Sequence, residues 1–289
     1  MANSSTDKFS KLPELAKPSL YQIFVSLNLN TCKFKGKQTI HLEITKPTNT
    51  LKLHSNALDV EKASLKLEDG TVFPDLKREI DAKWTLLTVQ LPQEIKPQKA
   101  ELEFVYNGEL TTNMKGFYKS TYKDNEGNEK AVASTQFEST YARNAFPCWD
   151  EPTYKAQFDI KLEVDKDLTA LSNMNVTEEK HTEAGTKMVT FARTPLMSTY
   201  LVAFAVGNFE YVECAGQKKN REITHWNWSP NQLTFYSEWF DFKMPLPKCD
   251  VLAMPDFAMG AMENWGLITA RENCSLYDPT KALRHTNSF

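Results

Sequence analysis

The sequence predicts a mainly β protein, with a saddle-like β-sandwich over most of its length. Three observations carry that prediction. Short segments alternate apolar and polar residues with a period of two, the pattern of strands with one buried face. Polar turn clusters such as Glu68-Asp69-Gly70 and Asp124-Asn125-Glu126-Gly127-Asn128 separate them. No long helical stretch interrupts the pattern before Ser229. Many short strands joined by polar turns are the signature of packed sheets.

Taken in order, Met1 to Ser19 is polar and expected to be loose. The β pattern starts at Leu20. Tyr21-Gln22-Ile23-Phe24-Val25-Ser26-Leu27 and Gln38-Thr39-Ile40-His41-Leu42-Glu43-Ile44 alternate cleanly. Further strands are expected at Leu51–Leu53, Lys62–Leu67, Trp84–Leu91, Lys99–Tyr106, Gln157–Val164, Met188–Arg193 and Tyr200–Val206. The texture changes between Gly207 and Gly216, which places a domain boundary near residue 210. Ser229 and Pro230 then suit an N-cap and a first helical position. They open a helix running to about Phe240, with Leu233, Tyr236 and Phe240 on one face. Pro245-Leu246-Pro247 breaks it, and Val251–Met254 and Gly266–Arg271 read as strands.

The chain of 289 residues is 41% hydrophobic and 25% charged, with a formal net charge of -3. Those values belong to a soluble globular protein rather than a disordered one. The balance offers no electrostatic footprint for nucleic acid or an anionic membrane. No apolar run approaches the roughly 20 residues of a membrane span. Met1 to Leu12 is polar and lacks the apolar core of a signal peptide, which favours the cytoplasm. Cys32, Cys148, Cys214, Cys249 and Cys274 form no C-x-x-C pair, so buried free thiols are expected. His41, His54, His181, His225 and His285 are expected to be surface or satisfied polar residues. No two stand at i, i+4, so the H-E-x-x-H zinc signature is absent from the sequence.

The residues that carry chemistry begin with Gly260-Ala261-Met262-Glu263-Asn264. Gly260 and Ala261 have almost no side chain, so another backbone can approach and pair as an added strand. Glu263 offers a carboxylate beside that edge. A peptide's free amine, with a pKa near ~7.7–8.0, is mostly protonated at neutral pH and suits such a receptor. Read without context, the same five residues also fit a plain turn. A second segment, Gln136-Phe137-Glu138, sets Gln136 and Glu138 on one face of a strand and offers a polar pair to one ligand. The run Ala145-Phe146-Pro147-Cys148-Trp149-Asp150-Glu151-Pro152 reads as a rigid, aromatic-packed loop. Phe146 and Trp149 belong in the core, and Asp150 and Glu151 pair with Arg143 or cap backbone.

Four motifs in one order now carry a family likeness: Thr135-Gln136-Phe137-Glu138, Ala145 to Pro152, Pro245-Leu246-Pro247-Lys248, and Ala258 to Leu267. Together they resemble the zinc aminopeptidases of the aminopeptidase N type, most of all the family's cytosolic members, from about Leu20 to Asp278. The resemblance implies a saddle-like β-sandwich over 20–210. Over 211–289 it implies the incomplete start of a thermolysin-like α+β catalytic domain. It makes Gly260 to Asn264 the strand that pairs with the substrate backbone, and Glu263 and Glu138 the receptors of its α-ammonium. Gln136 and Met259 would line the pocket for the first side chain.

The family's zinc comes from H-E-x-x-H and a later glutamate, and a later tyrosine stabilises the oxyanion. These have no match here, and residues 218–230 and 281–289 fit the family poorly. The expectation is therefore a truncated member that binds no zinc, releases no amino acid alone, and holds peptides with a free N-terminus only weakly. A non-catalytic module that binds peptides or pairs with a full-length relative is the alternative. An unstable fragment, with Leu246, Val251 to Met254 and Trp265 to Ile268 uncovered, is the third reading.

Overall fold

Eight strands form the largest sheet of the computed structural model. Their spatial order is Val176–His181, Thr186–Phe191, Gln157–Asp165, Ala16–Asn28, Lys33–Ile44, Gln98–Glu109, Asp59–Leu67 and Val72–Phe73. The model describes residues 11–124, 126–209, 212–215, 219–222 and 230–272; for 212–215, 219–222 and 230–233 it describes the backbone alone. Every neighbouring pair in the sheet is antiparallel except Ala16–Asn28 with Gln157–Asp165, which run parallel. A four-stranded sheet follows the order Thr169–Ser172, Phe204–Gly207, Glu129–Gln136, Gly116–Lys123. A three-stranded sheet joins Thr48–His54, Leu86–Ile95 and Arg78–Asp81. The mainly β expectation holds.

Aromatic rings tie the two largest sheets together. Tyr21 stacks on Phe158 with ring centroids 5.0 Å apart, and both strands belong to the eight-stranded sheet. Phe34 of that sheet meets Phe117 of the four-stranded one at 5.3 Å, and Phe117 meets Phe204 edge-on at 4.9 Å. Phe137 and Phe146 lie between, at 5.8 Å from each other, with Phe137 5.9 Å from Phe204. All are buried, so one aromatic seam supplies the apolar contact that holds the sandwich closed.

Several boundaries differ from expectation. The first strand begins at Ala16 rather than Leu20, because Leu12 and Ala16 are buried and the Leu12 N–H donates to Glu151 Oε1. Pro18 is tolerated there: the parallel partner begins at Leu20, and the register shifts between Pro18 and Leu20. Thr199–Leu201 is a 3-10 turn, and the strand expected from Tyr200 starts only at Phe204. The helix spans Pro230–Trp239; Ser229, the expected cap, lies outside the described residues. Tyr236 stacks on Phe240, as their spacing implies, but both remain largely exposed along with Phe235, Trp239 and Phe242. Cys148 is buried, but Cys32 and Cys249 are only partly so, and the Cys214 and Cys274 side chains lie outside the described residues.

No helix among the described residues is long and apolar enough to cross a membrane.

Candidate substrate-binding edge

A second three-stranded sheet carries the principal motif. Asp250–Met254 pairs in parallel with Leu267–Arg271, and Ala261–Met262 pairs antiparallel on the other side of Leu267–Arg271. Ala261–Met262 is thus an edge: among the described residues no strand pairs with its outer side. Its side chains alternate as a half-buried strand should. Met262 and Asn264 are buried, whereas Ala261 and Glu263 are exposed. Asn264 Nδ2 donates to Thr269 Oγ1 at 3.3 Å, and the Leu267 N–H donates to the Asn264 carbonyl at 3.2 Å, which closes the turn after the edge. A side chain at Gly260 would meet no described atom within 4 Å.

This sheet is not an uncovered fragment. Val251, Leu252, Met254, Phe257, Met262 and Leu267 are buried, and all but Val251 belong to the same apolar core as the sandwich. The expectation that Val251 to Met254 would lie uncovered is therefore wrong. The reason is docking against the four-stranded sheet. Asp256 takes hydrogen bonds from Ser120 Oγ to Oδ2 (2.8 Å) and from the Tyr118 hydroxyl to its carbonyl (3.0 Å). Asn173 Nδ2 reaches the Trp265 carbonyl at 2.8 Å. The Lys248 ammonium is buried against the Ser172 carbonyl (2.8 Å), the Gly266 carbonyl (2.6 Å) and Asp250 Oδ2 (2.7 Å). Burial pushes the Lys248 pKa down, and the Asp250 carboxylate opposes that shift. Of the segments expected to be bare, Trp265 alone stays exposed, at 38% of its surface; Leu246 and Ile268 are half-buried.

Gln136 ends the strand Glu129–Gln136, beside Gly116. It is buried, and its side-chain oxygen has no hydrogen-bond partner among the described residues. Glu138 is exposed and follows the strand rather than lying in it, so period-two alternation does not set the two on one face. Between them Phe137 is wedged against Phe146 and Phe204. Neither the Glu138 nor the Glu263 carboxylate engages a described hydrogen-bond donor or cation. Met259, with 57% of its surface exposed, stands beside the edge. The site residues thus fall on two docked sheets, joined through Tyr118, Ser120, Asn173 and Lys248.

The 145–152 loop is the rigid support it was expected to be. Phe146 and Trp149 are buried. Arg143 Nε meets Asp150 Oδ2 at 2.9 Å, and Glu151 caps the Leu12 N–H. Gln38 Nε2 holds the Pro147 carbonyl, and the Tyr21 hydroxyl accepts the Trp149 N–H. His54 and Cys148 exchange backbone hydrogen bonds, and burial pushes the Cys148 thiol up.

His54 Nδ1 also accepts the Asp150 N–H at 3.3 Å, and burial followed by the Arg143 charge lowers its pKa from 6.5 to about 3. A depressed value in the folded state means that stability is full above pH 6.5 and falls as acid protonates the unfolded chain first. A pH series of urea unfolding curves should show about 2 kcal/mol lost to this group between pH 7.5 and 5. A His54→Gln variant should lack that component; an unchanged slope would refute it. His41, at the surface near Glu101, and the exposed His181 are polar surface groups as expected; His225 and His285 lie outside the described residues.

Among the described residues no three His, Cys, Asp or Glu side chains gather to hold a metal ion.

Residues 17–201 match the Peptidase M1 N-terminal domain, and residues 225–288 match the Peptidase family M1 domain. The chain belongs to peptidase family M1. Its relatives there include the puromycin-sensitive aminopeptidase of Caenorhabditis elegans, 48% identical over 96% of this chain and 30% of that protein. Aminopeptidase M1 of Arabidopsis thaliana is 39% identical over 93% of this chain and 32% of its own length. Endoplasmic reticulum aminopeptidase 1 of Rattus norvegicus is 36% identical over 94% of this chain and 31% of that protein. The chain spans about a third of the length of these M1 relatives.

Sequence reasoning missed the residues that hold the edge in place. Lys248 was visible only as the end of the Pro245 to Lys248 motif. Asn173, Asp256 and Arg271 gave no signal, because single polar residues announce a contact only once the sheets are docked.

Proposed function

We propose that this chain carries the peptide-recognition part of an M1 aminopeptidase, with the boundary to its sandwich near residue 210. The supporting observation is the open edge at Gly260 to Asn264, with an exposed carboxylate at Glu263 and space beside Gly260. A peptide lies along Ala261–Met262 and adds a strand through its backbone. Glu263 and Glu138 accept charge-assisted hydrogen bonds from its α-ammonium. Gln136 and Met259 face its first side chain. An internal peptide segment carries no charge to satisfy the two carboxylates, so the reading predicts preference for a free N-terminus. The reading assigns recognition of the peptide's free N-terminus to the residues of this sequence. In the family, a zinc ion supplies the activated water for bond cleavage.

Titration of the 289-residue chain with Leu-Gly-Gly and N-acetyl-Leu-Gly-Gly, followed by NMR, tests the reading. The free amine should bind in the millimolar range and the acetylated peptide should not. Glu263→Ala should weaken the free-amine complex about three- to five-fold, the modest effect of an exposed ion pair. Binding should also fall above pH ~8 as the amine loses its proton. Equal binding of both peptides, or an unaltered Glu263→Ala affinity, would sink the proposal.

A further inference from the structure

The segment that leads into the edge, Asp256 to Gly260, has little regular structure of its own, yet it sets where Met259 and Gly260 stand. One side chain shapes it. Arg271, the last residue of Leu267–Arg271, donates from Nε to the Phe257 carbonyl at 2.7 Å and from Nη2 to the Ala258 carbonyl at 3.1 Å. Its backbone N–H donates to the Gly260 carbonyl at 3.0 Å. Three carbonyls in four residues are thus tied to one residue, and Met259 is the position left between them. Phe257 is buried below, and Asp256 is held by Tyr118 and Ser120. The segment is pinned at both ends, with the exposed Met259 side chain projected between the pins.

From this arrangement we infer that Arg271 is a positioning residue for peptide recognition: it fixes the Met259 side chain, and through it the preference for a large apolar first residue. The inference rests on the reading of Gly260 to Asn264 as a peptide-binding edge. A guanidinium suits the task because its planar fork presents several N–H donors in fixed directions, so two successive carbonyls are held at once. A lysine ammonium is a point charge on a flexible stem and does not reproduce that spacing. Because Arg271 is exposed, its loss frees the segment without opening the core.

The test compares Leu-Gly-Gly with Gly-Gly-Gly on the wild-type chain and on Arg271→Gln, Arg271→Lys and Met259→Ala variants, by the same NMR titration. Arg271→Gln should lower affinity for the leucine peptide about five- to ten-fold and leave the glycine peptide within two-fold. Arg271→Lys should behave like Arg271→Gln, since charge alone does not restore the fork. Met259→Ala should erase the same preference with Arg271 intact, which keeps the inference testable if an Arg271 variant does not fold. A residue with a purely structural role would alter both peptides equally or shift only the melting temperature. A folded Arg271→Gln chain with the wild-type leucine-to-glycine ratio would overturn the inference, and so would a Met259→Ala chain that keeps the preference. If the wild-type chain binds neither peptide, the peptide-edge reading itself fails, a result distinct from binding that is indifferent to residue 271.

Discussion

Replacing Asp150 with alanine is expected to lower the unfolding free energy by about 3–5 kcal/mol, the usual cost of stranding one partner of a buried ion pair. Asp150 is buried, and Arg143 is nearly so. Its Oδ2 accepts Arg143 Nε at 2.9 Å, and its Oδ1 accepts Thr199 Oγ1 at 2.7 Å. The guanidinium also reaches the Asp150 carbonyl and Thr85 Oγ1. Removing the carboxylate leaves a poorly hydrated cation and a hydroxyl without their acceptor, at a junction of three parts of the fold. Those parts are the 145–152 loop, the turn before Thr85 and the 3-10 turn Thr199–Leu201. Asp150→Asn keeps the shape and one acceptor, so it should cost about 1–2 kcal/mol. Urea unfolding measures both, and emission from the adjacent buried Trp149 should shift to the red in the alanine variant. A loss below about 1 kcal/mol for Asp150→Ala would mean that the pair contributes nothing net, as happens when desolvation cancels attraction.

How far the sequence could be read depends on which face of each strand meets water. Tyr21 to Leu27 and Gln38 to Ile44 have one buried and one open face, so alternation found them. The hairpin Gly116–Lys123 with Glu129–Gln136 escaped, although the turn between its strands was recognised. Its inner half is buried on both faces, and Ala131 to Gln136 is small or polar except for Val132, so no alternation survives there. That hairpin carries Gln136, which is why the geometry of Gln136 and Glu138 was misjudged. Val176–His181 escaped for the opposite reason: it is exposed at every position, an edge strand guarded by charge. The edge strand itself was legible because Gly260 and Ala261, with almost no side chain, stand between two strand-like segments. Its supports, Lys248, Asn173 and Arg271, bind backbone carbonyls distant in sequence, and a carbonyl leaves no mark on the sequence.

Gly266→Ala is expected to cost about 2–5 kcal/mol and to act locally, undocking the edge-bearing sheet before the sandwich opens. Gly266 has φ of +75°, a conformation that costs an L-residue about 1–2 kcal/mol. A methyl group there would also stand 2.0 Å from the Asn173 carbonyl oxygen. That oxygen has nowhere to retreat. The Asn173 side chain is fixed by the Leu201 carbonyl, the Trp265 carbonyl and the Ala203 N–H, so moving its backbone breaks contacts on both sheets. Relief by moving Gly266 instead pulls its carbonyl from Lys248 Nζ and from the Asp250 N–H. Either route adds the roughly 1–3 kcal/mol typical of overpacking. Hydrogen exchange should therefore speed up in Asp250–Met254 and Leu267–Arg271 while Lys33–Ile44 and Gln98–Glu109 keep their protection. Gly70→Ala is the matched control, with φ of +87° and no described atom within 4 Å of the added carbon, so it should incur the conformational cost alone. If the two variants lose equal stability, the contact with Asn173 is not what holds the sheets together. If Gly266→Ala loosens both sheets equally, the edge is not a separately docked unit, and peptide recognition would have to be as stable as the whole fold.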